Sequence, residues 1–404
     1  MTPSATFRER VALYAFLTSL TSISIDALLP GLRQIGSDLG VAPPLSTQHV
    51  VSLFIFGMAF GELLLGPMSD ALGRKKALVL GLGVYGLGTA IAMCAGSLEA
   101  VIFGRFLQGV GVSGPKISTR AMIRDQFEGD AMARVMSFMF TLFILVPMLA
   151  PTLGQVVMAV GGWRSVFAIY LVMAGLLGFW LVMRQPETLD SARRIPFRPK
   201  LLVLNGRRIL SNRRVATLIM ATGLVFGAQL LYLSTAADLF LDVYGIAETF
   251  PFYFAVLAAG IGLASFLNAR LVQRLGMDAM AHHAFVGLAS AGLLMLLAST
   301  LWNGRPPLAV FMSLSFSAFF AIGILFGNLN AMAMRSLGQV AGLGASLIAS
   351  GSSFVATLFA IGMGAFYDGT TLHLSAGFFV SGVLSLVLNR LAAQGDTSPV
   401  EAIR

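Results

Sequence analysis

From near residue 11 to near residue 394 the chain repeats one pattern, a run of about twenty apolar residues followed by a short polar break. A helix of about twenty residues crosses the roughly 30 Å of hydrocarbon in a bilayer. The pattern predicts twelve membrane-spanning helices, at 11–29, 46–68, 77–97, 99–122, 133–160, 162–183, 214–240, 250–273, 280–300, 307–334, 340–366 and 371–392. Composition agrees, because 57% of residues are hydrophobic and 11% charged, against about 25% charged in an ordinary soluble domain. Too little polar chain is left for a soluble domain. The 44 glycines, spread through most spans, predict helices that pack closely as a bundle. The basic residues before the first span resemble a signal peptide, but the apolar run continues to about Leu29 without an obvious small-residue cleavage site, so a retained helix is expected.

The polar breaks carry their charge unevenly. With the N-terminus placed in the cytoplasm, 21 of the 27 Lys and Arg fall on inside ends and loops, 3 fall outside (Arg33, Arg164, Arg305) and 3 lie within the fourth span. The positive-inside rule then puts both termini in the cytoplasm. The net charge of +9 therefore calls for no nucleic acid partner. The longest break, "RQPETLDSARRIPFRPKLLVLNGRRILSNRR", separates the spans six and six. It divides the chain into an N-terminal six-helix bundle at 1–183, a cytoplasmic linker at 184–213 with room for a surface helix, and a C-terminal six-helix bundle with a short tail at 214–404. "GPMSDALGRKKA" and "NARLVQRLGMDA" echo each other at Leu72-Gly73 and Leu275-Gly276. Duplicated halves around a midplane site are a transporter's design.

"GELLLGPMSDALGRKKALVLG" carries the most specific signal. Gly73 permits a tight turn, and Asp70 and Arg74 can pair with each other and with Asp125 at the end of the fourth span. The string resembles the loop between the second and third helices of the major facilitator superfamily, matched at Gly66, Asp70, Gly73, Arg74, Lys75 and Lys76 and departing at Ala71, where a cation is usual. The resemblance implies that fold, with Gly66, Asp70, Gly73, Arg74 and Asp125 latching the outward-facing state. Further strings resemble the bicyclomycin-resistance (Bcr/CflA) type of drug:proton antiporter. "SIDALLPGL" puts Asp26 at the acidic position of the first helix, and "GRFLQGVG" matches the fourth-helix pattern at Arg105, Gln108 and Gly109. "VPMLAPTLGQ" is similar to the fifth-helix antiporter motif at Pro151 and Gly154, with Val146, Ala150 and Gln155 in place of three glycines.

Ionisable side chains at bilayer depth are functional candidates, because burying them in hydrocarbon is costly. Five are found: Asp26, Glu62, Arg105, Lys116 and Arg120. At about 100° per residue, Lys116 falls roughly 20° and Arg120 roughly 60° from Arg105, so the three cations share a face of one helix. Depth pairs Asp26 with Arg105 in the outer half and Glu62 with Lys116 in the inner half. One reading couples Asp26 and Arg105 to protons and gives an anionic part of the substrate to Lys116 and Arg120. The other has each pair serve packing alone, with Arg120 snorkelling to headgroups. Pro115 and Pro147, with Pro151 and Gly154, are expected to bend the helices bordering the cavity. Neutral cavity candidates are Gln108, Phe140, Gln229, Tyr232, Asn268, Asn328 and Asn330, which can equally bridge or pack helices. His282 and His283 point about 100° apart on a helix and make an improbable metal site. Cys94, the single cysteine, is expected to be a small buried apolar residue.

These readings converge on an all-α membrane protein of twelve helices in two pseudo-symmetric bundles. The expected activity is secondary active transport by alternating access, exporting a small drug-like or organic anionic molecule in exchange for protons. The expected setting is the bacterial inner membrane, as a monomer. Two alternatives stay open: proton- or sodium-coupled uptake of an organic anion, and a non-transporting sensor or assembly factor on the same scaffold. No phosphate-binding loop, nucleophile triad or metal-ligand cluster is visible, so neither an enzyme nor a cofactor or metal is expected.

Overall fold

A computed structural model describes residues 6–335, 337 and 341–393, the side chains at 129, 130, 133, 136, 137, 140, 143, 144 and 341 excepted. Among the described residues every regular element is a helix. The chain divides into two compact units, Met1–Arg198 and Pro199–Arg404.

In the first unit α1 (Phe7–Asp26) starts at Thr6, whose hydroxyl accepts a hydrogen bond from Glu9 N at 3.3 Å, an N-cap that satisfies one of the helix's open donors. A single 3₁₀ turn, Leu29–Gly31, leads into α2 (Leu32–Leu39). The hydropathy pattern does not predict α2, because eight residues are too few to span a membrane. The element buries Leu32 and Ile35 and exposes Arg33 and Gln34; Asp38 holds it against Trp163, whose Nε1 donates at 2.9 Å. Then follow α3 (Gln48–Leu72), α4 (Arg74–Met93), α5 (Leu98–Gln126) and α6 (Gly129–Arg184). Gly161 and Gly162 (φ +67°) leave helical geometry and split α6 into two spans. Six spans result.

α5 packs against both α3 and α4, and glycine sets how closely. A Cβ at Gly88 of α4 would lie 2.5 Å from Gln108 N, and one at Gly109 of α5 would strike the Phe54 carbonyl of α3. Among the described residues, ten helical segments are long and apolar enough to cross a membrane. α5 is not among them, since Arg105, Lys116, Arg120 and its glycines lower its hydropathy. Its 29 residues nevertheless reach about 43 Å at about 1.5 Å per residue. The enclosing helices supply the apolar surroundings that α5 itself lacks.

The second unit opens with α7 (Pro199–Ser211), a short helix in the basic break, and continues with α8 (Arg213–Tyr244), α9 (Phe250–Leu275), α10 (Met277–Leu301), α11 (Leu308–Met334), α12 (Ala341–Gly364) and α13 (Leu372–Ala393). α8 packs on α11, α12 and α13, while α10 packs on α11 and α13. Aromatic rings fill part of its core, with Phe240 against Phe250 at 5.6 Å and Phe311 at 5.8 Å between centroids.

The two units share a corner. Gly73 (φ +104°, ψ 155°) turns the chain from α3 into α4, and Gly276 (φ +79°, ψ 151°) turns it from α9 into α10. Both conformations are open essentially to glycine alone. One expectation is corrected here: Cys94 is exposed, because it is the C-cap of α4 and lies at the end of the helix rather than inside the bundle.

Candidate functional site

The basic loop assembles around Arg74. As the first residue of α4 it is buried, 6% exposed, and reaches the last turns of two other helices. Its Nη1 pairs with Asp70 on α3 and donates to Ser69 Oγ at 3.2 Å, and its Nε donates to Asp125 Oδ2 on α5 at 3.2 Å. Sequence reasoning missed a further acid. Glu187 Oε1 accepts from Arg74 N at 2.9 Å and from Leu189 N at 3.1 Å, and Oε2 accepts from Lys75 N at 3.2 Å. A carboxylate at a helix N-terminus satisfies open donors and opposes the helix dipole. A Cβ on Gly73 would collide with that carboxylate. The acid stands in "QPETLD", within the predicted linker, where nothing in the sequence marks a backbone partner.

Of the five ionisable side chains expected at bilayer depth, Asp26, Glu62 and Arg105 are buried in the first unit, Lys116 is partly buried and Arg120 is exposed. Arg105 is fully buried, with Nε donating to the Val50 carbonyl at 3.0 Å, Nη1 bonded to Gln108, and Cζ 4.2 Å from the Phe54 ring centroid. Gln108 Nε2 donates to Thr89 Oγ1 at 2.8 Å, and Thr89 donates to the Tyr85 carbonyl at 2.6 Å. Tyr85 hydroxyl in turn meets Ser24 Oγ at 2.7 Å; since Ser24 donates to the Leu20 carbonyl, Tyr85 is the donor. These contacts, joined through the covalent frame of Tyr85, link Arg105 to α1. Arg105 Nη2 is buried with no hydrogen-bond partner among the described residues.

Asp26 lies beside that path without joining it. It is 5% exposed and has no ion-pair partner among the described residues. The expected Asp26–Arg105 pair is not formed. Depth orders groups along the membrane normal but says nothing of direction around it: Arg105 turns to Val50 and Phe54 of α3, whereas α1 packs chiefly on α6 and less on α5. There a Cβ on Gly154 would strike the carbonyl of Ala27, next to Asp26. Tyr170 of α6 donates to the Ile23 carbonyl at 2.9 Å and lies within electrostatic reach of both Asp26 and Arg105.

Glu62 and Lys116 are brought together, Nζ to Oε1 at 2.5 Å, with Glu62 fully buried and the lysine side chain 23% exposed. Arg120, about one turn further along α5, is exposed and makes no ion pair among the described residues, although Glu62 acts on it electrostatically. α5 stays helical through Pro115, and α6 through Pro147 and Pro151.

The candidates in the second unit separate. Asn328 exchanges two hydrogen bonds with Asn268, at 2.8 and 3.3 Å, and so ties α11 to α9. Tyr232 packs against Phe319 at 4.8 Å, its hydroxyl buried without a partner among the described residues. Gln229 is half-buried, and exposed Asn330 donates to the Phe326 carbonyl at 3.1 Å. The side chain of Phe140 lies outside the described residues.

Known proteins extend this picture. The chain is 30% identical to a bicyclomycin resistance protein homolog of Haemophilus influenzae over 83% of each sequence. It is 28% identical to the chloramphenicol resistance protein CraA of Acinetobacter baumannii, covering 78% of this chain and 75% of that one. The structure of the Escherichia coli xylose transporter XylE matches with a TM-score of 0.72 over 96% of this chain and 99% of that one, at 14% identity, a likeness of fold. Residues 14–366 match the Major Facilitator Superfamily model, and the chain belongs to this family of multi-pass membrane transporters.

Proposed function

We propose that this transporter exports a small drug-like or organic anionic molecule in exchange for protons, by alternating access, with Asp26 carrying the proton. The observation that carries the reading is a buried carboxyl group, within a helix long and apolar enough to span a membrane, without an ion-pair partner among the described residues. Such a group is expensive in hydrocarbon as a structural ornament. Arg105, with an Nη2 that has no partner among the described residues, serves as the cation that the Asp26 carboxylate approaches in another state of the cycle, and Tyr170 is within electrostatic reach of both. Resistance to bicyclomycin and to chloramphenicol, in the names of the relatives, favours export over uptake. Lys116 is committed to Glu62, so Arg120 is the cation left to meet an anionic part of the substrate. The Arg74 corner is the latch of one end state. The protein acts as a monomer in a bacterial inner membrane, with both termini in the cytoplasm.

The test is proton release from purified protein in detergent on addition of anionic, neutral and cationic compounds, with Asp26→Asn in parallel. Release from the parent and none from Asp26→Asn is expected. Equal release from both proteins would remove Asp26 from the cycle.

A further inference from the structure

At the end of the second unit where α8 and α10 begin and α11 and α13 end, Arg214, Asp278, Met332, Arg335 and Asn389 line a cavity of about 320 Å³. Its charges are unevenly committed. Arg335 Nη1 donates to Asp278 Oδ2 at 3.0 Å, which occupies that carboxylate. Arg214, with only 12% of its side chain exposed, comes no nearer than 3.9 Å to Asp278, beyond hydrogen-bond length. Its Nε is buried without a partner among the described residues. Among the described residues, two guanidinium groups against one carboxylate leave the cavity net positive, and one of them keeps its fork of N–H donors open.

A buried donor left unpaired costs about 1–3 kcal/mol, more when it is charged, so the arrangement is completed by an acceptor that brings negative charge. Guanidinium takes the oxygens of a phosphate through two parallel hydrogen bonds. A neutral ligand would leave the excess charge, and a cation would add to it. Arg214 is the second residue of α8 and Arg335 follows the last residue of α11, so both stand at the headgroup level, where basic pockets between membrane helices take anionic headgroups. We propose that this cavity binds a phosphate group, held by Arg214 and Arg335, from an anionic phospholipid headgroup or from free phosphate. The site is separate from Asp26 and is independent of the transport reading.

Thermal unfolding of the full chain in nanodiscs of phosphatidylcholine tests this, with phosphatidylglycerol added in one arm and sodium phosphate, matched in ionic strength by chloride, in the other. A rise in unfolding temperature is expected in the parent, lost in Arg214→Gln, partly kept in Arg214→Lys, and kept in Arg213→Gln, which removes an exposed neighbouring cation outside the cavity. A rise with phosphatidylglycerol alone assigns the headgroup, and a rise with both probes assigns phosphate itself. No rise with either probe overturns the proposal. So does an equal loss in Arg213→Gln and Arg214→Gln, which would mean diffuse attraction to the basic surface.

Discussion

At the α3–α4 corner a cation opens the new helix, Arg74, and its acid, Asp125, sits in the last turn of α5. At the α9–α10 corner an acid opens the new helix, Asp278, and its cation, Arg335, sits just past the end of α11. The glycine turn is the same at both, with ψ near 150°, but the charges have changed places. The backbone device thus requires only an opposite pair, and either sign can occupy either helix. What differs is solvent. Arg74 is 7% exposed in its side chain, whereas Arg335 is 45% and Asp278 59% exposed. The first corner is a desolvated network, and the second is a surface pair.

That difference ranks the effects of substitution, all read by thermal unfolding of purified protein. Arg74→Gln is expected to cost most, about 3–5 kcal/mol, because it strands Asp70 and Asp125 together after removing their shared cation. Glu62→Gln leaves the Lys116 ammonium at bilayer depth without its carboxylate; the expected loss is about 3 kcal/mol, recovered largely in the Glu62→Gln/Lys116→Met double variant. If the double variant is no better than the single, the pair is not held as described. Gly73→Ala and Gly276→Ala should each lose about 1–3 kcal/mol to backbone strain. Gly73→Ala should lose more, since its new methyl displaces Glu187 while Gly276 faces open space. Equal losses would deny the Glu187 cap its role. Arg335→Gln should cost least, under about 1 kcal/mol, as exposed ion pairs do. A cost matching that of Arg74→Gln would erase the distinction between the corners.

Much of this was legible before the structure. Apolar runs of membrane length marked the six-and-six arrangement, because hydrocarbon thickness dictates helix length. The break in α6 at Gly161–Gly162 fell between two predicted spans, and the echo at Leu72-Gly73 and Leu275-Gly276 marked both corners. Elements that need no membrane length escaped: α2 is amphipathic and short. Side-chain partnership was harder. Glu62 and Lys116 met as depth and helical phase suggested, yet Asp26 and Arg105, matched by the same argument, did not. The closest approach of α5 to α3 and α4 is set by glycines such as Gly88 and Gly109, and it decides which carbonyl an arginine meets. No count of residues along a helix contains that. Glu187 escaped for a related reason, since its target is a backbone terminus, which carries no residue signature.

Cys94 has a consequence of a different kind. It is the sole thiol of the chain and stands exposed at the far end of α4, one membrane thickness from the Arg74 corner. Nature has thereby installed a single-site chemical reporter of sidedness. A maleimide too polar to cross the bilayer, applied to intact cells, reacts with Cys94 if the basic corner faces inward and spares it if the protein is inverted, with no engineered residue required.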